Sequence, residues 1–155
     1  MVRIVPAVED DISRIAEIEA EAFAPPWAAG ALLSELYRED SFFAVAYMLA
    51  GEKVCQIRTL PVGFVILRGF TDDGELLQIA VDRDARRCGI ADLLMTAALG
   101  YAREKNLKAV FLEVRMSNDA AVALYKKHGF KSVRFRKDYY SNPLEDALVM
   151  VRDLK

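Results

Sequence analysis

The stretch ELLQIAVDRDARRCGIADLLM, from Glu75 to Met95, joins a strand pattern to a helix pattern through a short polar turn. Residues 75–81 form an apolar run that is typical of a buried strand, and apolar side chains recur at helical spacing over about 91–105. The next segment, KAVFLEV at 108–114, is again an apolar strand pattern. A strand, a helix and a strand in this order predict a parallel strand pair joined by a right-handed crossover.

On the N-terminal side, the same criteria predict three further strands and two helices. The predicted strands are VRIVPA at 2–7, SFFAVAYML at 41–49 and VGFVILRGF at 62–70. Helices are expected at 9–23 and 28–37, because Pro25 and Pro26 cannot continue the first one. A turn or irregular hairpin is expected around Gly51, and the DDG sequence at 72–74 predicts the turn into residues 75–81.

On the C-terminal side, SNDAAVALYKKHGF at 117–130 predicts a helix that begins at Ser117 or Asn118 and ends at Gly129. Residues 131–137 and 145–154 predict two more strands, separated by the loop sequence DYYSNP. The complete order is β-α-α-β-β-β-α-β-α-β-β. It predicts one α/β (α+β) domain over 1–155, with a mixed, mostly antiparallel sheet, a parallel central strand pair and helices on both faces.

The composition is that of an ordinary globular domain. The chain has 155 residues, of which 54% are hydrophobic and 28% charged, and its net charge is −2. It has no apolar run long enough to cross a membrane and no signal-peptide pattern. Its two cysteines, Cys55 and Cys88, form neither a CxxC pair nor a disulfide framework. A cytoplasmic location is therefore expected.

The charges are unevenly distributed along the chain. Residues 1–40 contain nine acidic side chains and three basic ones, whereas residues 126–137 contain six basic side chains and no acidic one. Both runs are most simply explained as solvated faces. Alternatively, the acidic half borders a cleft that attracts a basic substrate. Nucleic-acid binding is not expected of a chain that is acidic overall.

Several common catalytic signatures are missing. The sequence contains no GxxxxGKS/T, GxGxxG or HExxH motif. Its one histidine, His128, lies near the end of a predicted helix, where a cation is favourable, and no metal is expected because no other ligands cluster with it. Cys88 lies next to arginines, but nothing marks the base that a cysteine nucleophile needs.

The turn before the third helix has the features of an anion site. A helix that begins near Gly89 leaves several backbone N–H groups unpaired, and its macrodipole favours negative charge there. Glycine lets the backbone approach a ligand closely, and the forked guanidinium groups of Arg86 and Arg87 suit phosphate. The alternative is an exposed loop whose arginines contact only water.

Two further positions carry candidate proton-transfer groups. Alternation places Glu113 on the less apolar face of its strand. It either pairs with Arg115 at the strand's end or is a general base whose pKa is raised by partial burial. Tyr125 is either a core aromatic residue or a proton donor. It follows Asn118 by seven residues, so both side chains can face one ligand.

Together, these segments resemble a known family. Residues 86–91, RRCGIA, fit the acetyl-CoA signature of the GNAT N-acetyltransferases, in which Arg or Gln stands three residues before Gly and the helix opens at a following Gly or Ala. LEVRMSNDAAVALYKKHGF at 112–130, with RKDYY at 136–140 and EDALVM at 145–150, resembles the RimI-like branch, the ribosomal-protein-alanine N-acetyltransferases. The resemblance is dense over 75–150, and Cys88 and Ala91 depart from the residues most common in relatives.

The resemblance implies acetyl-CoA as the cosubstrate and a role for each motif position. The backbone of the strand would pair with the pantetheine arm and the loop would hold the pyrophosphate, so the implied cofactor-binding residues are Ile79, Ala80, Val81, Arg86, Arg87, Cys88, Gly89, Ile90, Ala91, Asp92 and Asn118. Glu113 matches the general base of the family and Tyr125 its general acid. Because the acceptor attacks the thioester directly, no enzyme nucleophile is needed.

The resemblance also implies where the acceptor binds. The loop between the first two helices, with Pro25, Pro26 and Trp27, would flank the peptide on one side, and Tyr139 and Tyr140 in the last loop would flank it on the other. The expected acceptor is a protein N-terminus, most simply alanine of a basic ribosomal protein, with no nucleic-acid or membrane partner. The alternatives are a lysine side chain, a small amine, or a non-catalytic acyl-CoA-binding module.

Overall fold

The computed structural model describes residues 1–48 and 60–155. Over these ranges the elements are β1 (Val2–Pro6), α1 (Ile12–Ala22), α2 (Ala29–Leu36), β2 (Ser41–Met48), β3 (Pro61–Phe70), β4 (Asp73–Val81), α3 (Ile90–Glu104), β5 (Ala109–Arg115), α4 (Asp119–Lys127), β6 (Lys131–Tyr140) and β7 (Glu145–Asp153). Short 3-10 turns at Glu9–Asp11 and Arg83–Ala85 precede α1 and α3. The predicted order of helices and strands is confirmed.

The strands form one mixed sheet in the order β1-β2-β3-β4-β5-β7-β6. β4 and β5 are parallel, and every other neighbouring pair is antiparallel. The predicted sheet with a parallel central pair is therefore confirmed. The last hairpin adds to the sheet through β7, so that β6 forms an edge.

The two faces of the sheet carry separate hydrophobic clusters. On one face, Val65 and Leu67 of β3 pack with α3 and with Tyr125 and Phe130. On the other face, Phe64 and Ile66 pack with α1 and α2. Because successive residues of a strand point to opposite faces, β3 must be apolar on both sides, and helices cover both faces as predicted.

β4 and β5 separate along their length. The two strands pair only at Gly74–Val110 and Glu75–Phe111. Leu77 is an extra residue opposite β3, because Ile66 pairs with Gln78 and Leu67 with Leu76. Such a bulge bends the strand. In the described part of the chain, β4 after residue 75 pairs with β3 alone, which opens a cleft between the two parallel strands.

Two predicted boundaries were wrong. The turn before β4 is Thr71–Asp72, because Phe70 already pairs with Asp73, so Asp73 and Gly74 of the predicted DDG turn belong to the strand. Tyr139 and Tyr140, predicted in a loop, end β6: after a bulge at 137–139 the ladder resumes with Tyr140 opposite Glu145. The predicted turn around Gly51 and the end of the predicted strand at Leu49 lie outside the described residues.

Candidate active site

The turn before α3 presents a cluster of free backbone N–H groups. Gly89 is the N-cap residue and has a left-handed backbone, with φ of 75°. A Cβ atom built on it meets nothing within 4 Å, so open space lies in front of the turn. Among the residues described, none accepts a hydrogen bond from the N–H groups of 87–92. N–H groups at a helix N-terminus bind phosphate groups, and the backbone here is arranged for one.

The side chains of residues 86–88 in this turn are exposed, and two of them contact backbone carbonyls. Arg86, Arg87 and Cys88 are exposed. The Arg86 Nε donates to the Val81 carbonyl over 3.3 Å, and the Cys88 thiol lies 3.6 Å from the Arg86 carbonyl. Backbone N–H groups, rather than the cysteine side chain, therefore line the open space in front of the turn.

Asp92 connects the first turn of α3 to the end of α4. Its Oδ1 lies 2.9 Å from His128 Nε2, and its Oδ2 accepts from Lys127 Nζ over 3.0 Å. The hydrogen bond with His128, then that with Lys127, lowers the pKa of Asp92. His128 is the C-cap residue of α4, as its place in the sequence predicts, but its carboxylate partner was not foreseen.

The open edge of β4 offers main-chain groups to the cleft. Asp82 N–H donates to the Val62 carbonyl of β3 over 2.7 Å. Since the main-chain groups of a strand alternate in direction, those of Ala80 also face β3, and those of Ile79 and Val81 face the open edge. Of the three predicted pantetheine contacts, Ile79 and Val81 are therefore the ones that present hydrogen-bonding groups.

Glu113 lies on the β5 face opposite the buried Val110, Leu112 and Val114, as strand alternation predicts. Its side chain is 18% exposed, and its Oε1 accepts from Arg136 Nη1 over 2.5 Å. A hydrogen bond with Glu113 is also the main reason why the pKa of Tyr139 is raised. The predicted alternative of a Glu113–Arg115 pair was wrong, because Arg115 pairs with Glu145 instead.

A second carboxylate, Glu75, lies near Glu113 and was not singled out from the sequence. Burial, and then the charge of Glu113, raises the pKa of Glu75. Glu75 is opposite Phe111 across the short paired part of β4 and β5. A carboxylate at the start of an apolar strand was the available signal, and it is the same signal that identified Glu113.

Tyr125 is buried and packs edge-on against Phe130, with ring centroids 5.9 Å apart. Burial, with a smaller contribution from Tyr140, raises the pKa of its hydroxyl above the ordinary tyrosine value. Asn118 is the N-cap residue of α4, as predicted, and its Oδ1 accepts from Ala121 N–H over 3.2 Å. The Asn118 side chain is thus already used by the helix.

Tyr139 interacts with Glu113, and Tyr140 interacts electrostatically with both Glu113 and Tyr125. Their rings are perpendicular, with centroids 5.0 Å apart. The guanidinium of Arg136 lies 4.8 Å from the Tyr139 ring centre. Burial, and then the charge of Glu113, raises the pKa of Tyr140 to about 12. Electrostatic interactions thus link both predicted proton-transfer residues, Glu113 and Tyr125, to both predicted acceptor tyrosines.

Trp27 is held by a buried carboxylate. Its backbone N–H donates to Glu19 Oε1 over 2.9 Å, and the Glu19 side chain is 0% exposed. Burial raises the pKa of Glu19 to about 7. Among the residues described, its Oε2 has no hydrogen-bond partner. Pro25 and Pro26 beside Trp27 are exposed.

Three of the nine acidic residues before position 41 are buried rather than part of a solvated face, namely Asp11, Glu19 and Glu35. Asp11 accepts from Val8 N–H and the Tyr47 hydroxyl, and Glu35 pairs with Arg68. These three carboxylates hold the N-terminal helices in place. For them, the interpretation as a solvated or groove-lining charge was wrong.

The described ranges, 1–48 and 60–155, contain neither a metal centre nor a membrane-spanning helix. No group of three or more His, Cys, Asp and Glu side chains there is placed to hold a metal ion. No helix there is long and apolar enough to span a membrane.

Comparison with known proteins places this geometry in context. The model of the acetyltransferase (GNAT) family matches residues 12–130. The ribosomal protein bS18-alanine N-acetyltransferase of Haemophilus ducreyi is 31% identical over 150 residues, which cover 92% of this chain and 94% of that protein.

Solved structures agree with this relationship. The ribosomal-protein-S18-alanine N-acetyltransferase of Escherichia coli superposes with a TM-score of 0.85 at 28% identity, covering 100% of this chain and 95% of that one. Arabidopsis thaliana NAA60, solved with a bisubstrate analogue, has the same fold, with a TM-score of 0.85 at 19% identity and full coverage of both chains.

Proposed function

The chain belongs to the acetyltransferase (GNAT) family, and we propose that it acetylates the N-terminal amine of a protein that begins with alanine. It is an N-acetyltransferase, and its cosubstrate is acetyl-CoA. The chain is 31% identical to a ribosomal protein bS18-alanine N-acetyltransferase over nearly the whole of both proteins. This similarity supports bS18 as the acceptor and the cytoplasm as the location. The observation that carries the chemistry is Glu113, a largely buried carboxylate on β5, the strand that borders the open β4–β5 cleft.

The residues around the cleft fit a coenzyme A group. The free N–H groups of 87–92 would hold the pyrophosphate, with Ile90, Ala91 and Asp92 contributing their backbone and Arg86 and Arg87 adding positive charge. Ile79 and Val81 would pair with the amides of the pantetheine arm, much as a peptide adds to a strand edge. Asn118 would contact the cofactor from the start of α4. Acetyl-CoA supplies the acetyl group as a thioester, from which sulfur departs as a thiolate.

Glu113 is the general base of the proposed reaction. An N-terminal amine has a pKa of about 8 and is mostly protonated at neutral pH, so it must lose a proton before it can attack. Glu113 accepts that proton, directly or through one water. Arg136 and Tyr139 hold the carboxylate, and the proton moves to solvent when the product leaves.

Tyr125 is the general acid. A tyrosine hydroxyl is protonated at neutral pH, and here it would give that proton to the departing thiolate. The resulting tyrosinate is unfavourable in a buried position, and it regains a proton from solvent through the neighbouring Tyr140. The base and the acid thus act on opposite sides of the transferred group, the amine and the sulfur.

The acceptor lies between Pro26 and Trp27 on one side and Tyr139 and Tyr140 on the other. A surface cavity of about 490 Å³ adjoins Trp27 and gives room for acceptor residues beyond the first. Glu113, which pairs with Arg136, and Glu75 place two carboxylates beside this site, which supports a basic acceptor such as a ribosomal-protein N-terminus.

A panel of peptides tests the acceptor. The bS18 N-terminal peptide beginning with alanine is compared with versions beginning with other residues and with one whose amine is blocked. We expect the alanine peptide to have the highest kcat/KM and the blocked peptide to give no product. Equal turnover of a free polyamine or of the blocked peptide would instead assign the enzyme to small amines or lysine side chains. Absence of turnover with every amine would leave only acyl-CoA binding.

A further inference from the structure

Arg115 connects both loops that flank the proposed acceptor site. It is the last residue of β5, two positions after Glu113. Its Nη2 donates to the Ala24 carbonyl over 2.9 Å and to the Ser141 carbonyl over 3.1 Å. Its Nη1 donates to the Pro143 carbonyl over 2.9 Å. One guanidinium therefore contacts the segment before Trp27 and the segment after Tyr140.

Two neighbouring side chains, Tyr140 and Glu145, also contact the Arg115 guanidinium and fix its orientation. Its guanidinium lies 4.5 Å from the ring centre of Tyr140, one of the proposed acceptor contacts. Its Nη1 also lies 3.4 Å from Glu145 Oε1, and Glu145 Oε2 accepts from Ser117 N–H over 2.6 Å. With its side chain only 19% exposed, Arg115 is held on every side, and its charge is balanced.

We infer that Arg115 is a positioning residue that fixes the two acceptor loops, residues 23–28 and 141–144, at a set distance and orientation from Glu113. This inference rests on the proposed function. The loop at 23–28 and the turn at 141–144 are distant in sequence and belong to no common sheet ladder. A planar fork with five donors reaches three carbonyls and the Glu145 carboxylate from two nitrogens at once, whereas a lysine ammonium has three donors on a single nitrogen.

The first test separates acceptor binding from cofactor binding. Arg115→Met keeps the length of the side chain but removes its donors. We expect the KM of the acceptor peptide to rise by about tenfold or more, with the KM of acetyl-CoA within about twofold of the wild-type value. Arg115→Lys, which retains the charge, should restore little of the loss. Arg3→Met, at an exposed position of β1 on the far edge of the sheet, is the matched control and should behave as wild type.

The second test does not depend on turnover. Trp27 is the only tryptophan of the chain and lies in the loop whose Ala24 carbonyl Arg115 holds. Acrylamide quenching of its fluorescence should increase in Arg115→Met and Arg115→Lys and stay unchanged in Arg3→Met. Because this measurement needs no acceptor, it remains informative if the proposed function is wrong.

Each outcome decides the inference. Increased quenching together with a higher peptide KM and an unchanged acetyl-CoA KM supports it. Unchanged quenching overturns it, as does a parallel rise of both KM values, which indicates general loosening of the site. Restoration of the wild-type peptide KM by Arg115→Lys overturns the requirement for a fork. If Arg115→Met does not fold, the same readings are taken on Arg115→Lys.

Discussion

Tyr125 is the proposed proton donor, and burial raises the pKa of its hydroxyl. Tyr125→Phe removes the hydroxyl but keeps the ring contact with Phe130, so the fold should remain intact. We expect kcat to fall by about 10²–10⁴-fold, the usual contribution of one positioned proton donor. Binding of acetyl-CoA, measured by calorimetry, should change little. Wild-type turnover by this variant would exclude Tyr125 as the acid.

Glu19 predicts a pH dependence of stability. Its pKa rises from its ordinary value of 4.5 to about 7 on folding, because burial disfavours the charged form. The folded state therefore holds a proton that the unfolded state has lost, and stability from this group falls as pH rises from about 5 to 8. The loss should be on the order of 2 kcal/mol in the free energy of unfolding.

Glu19→Gln provides the comparison, because an amide still accepts from Trp27 N–H but does not ionise. Urea unfolding at pH 5 and pH 8 should show the decline in the wild-type protein and a smaller decline in the variant. Equal declines in both proteins would show that Glu19 does not ionise in this range.

From the sequence, residues with candidate chemical roles could be recognised more readily than the groups that they contact. Glu113 was recognised because a carboxylate in an apolar strand needs a reason, and Glu75 gave the same signal without being recognised. The partners of Arg115 are main-chain carbonyls from distant segments, so no pattern in the sequence indicates them. Likewise, the burial of Glu19 depends on how the loop at 24–27 folds back over α1.

Among the secondary-structure elements, the turn into α3 is the one expected to bind acetyl-CoA. Gly89→Ala places a methyl group in the open space before the free N–H groups and strains a backbone with φ of 75°. We expect the KM of acetyl-CoA to rise by about tenfold, with stability lowered by about 1–2 kcal/mol. The peptide KM should change less.

Gly100→Ala is the matched control, because a methyl group there also meets nothing within 4 Å and its backbone is helical. That variant should keep the acetyl-CoA KM and gain slightly in stability. If both variants bind acetyl-CoA as the wild type does, the turn at Gly89 does not hold the pyrophosphate.

Element types were readable from periodicity, whereas strand order and strand ends were not. The continuous apolar run of β3 predicted a buried strand, and the helical spacing in α1 predicted a helix that packs on the sheet. The place of β7 between β5 and β6 depends on long-range pairing, which leaves no local signal. The bulge that carries Tyr139 and Tyr140 into β6 likewise depends on the partner strand.

For the whole molecule, charge predicts how salt affects the acceptor, because Glu75 and Glu113 place two carboxylates beside the site proposed for a basic peptide. Raising the salt concentration should therefore increase the KM of a basic bS18 peptide, because salt screens the attraction between the peptide and these carboxylates. An uncharged peptide that begins with the same alanine is the control, and its KM should change little. The same KM for the basic peptide at low and high salt would contradict the electrostatic part of the account.

Transfer to an α-amine with Glu113 as the base can be tested with a single peptide. The peptide begins with a free alanine and contains an accessible lysine, and fragmentation mass spectrometry locates the acetyl group after incubation with acetyl-CoA. We expect an acetyl group on the alanine amine alone with the wild-type enzyme, and a rate about 10²–10⁴-fold lower with Glu113→Gln. Acetylation of the lysine, or an undiminished rate with Glu113→Gln, would contradict it.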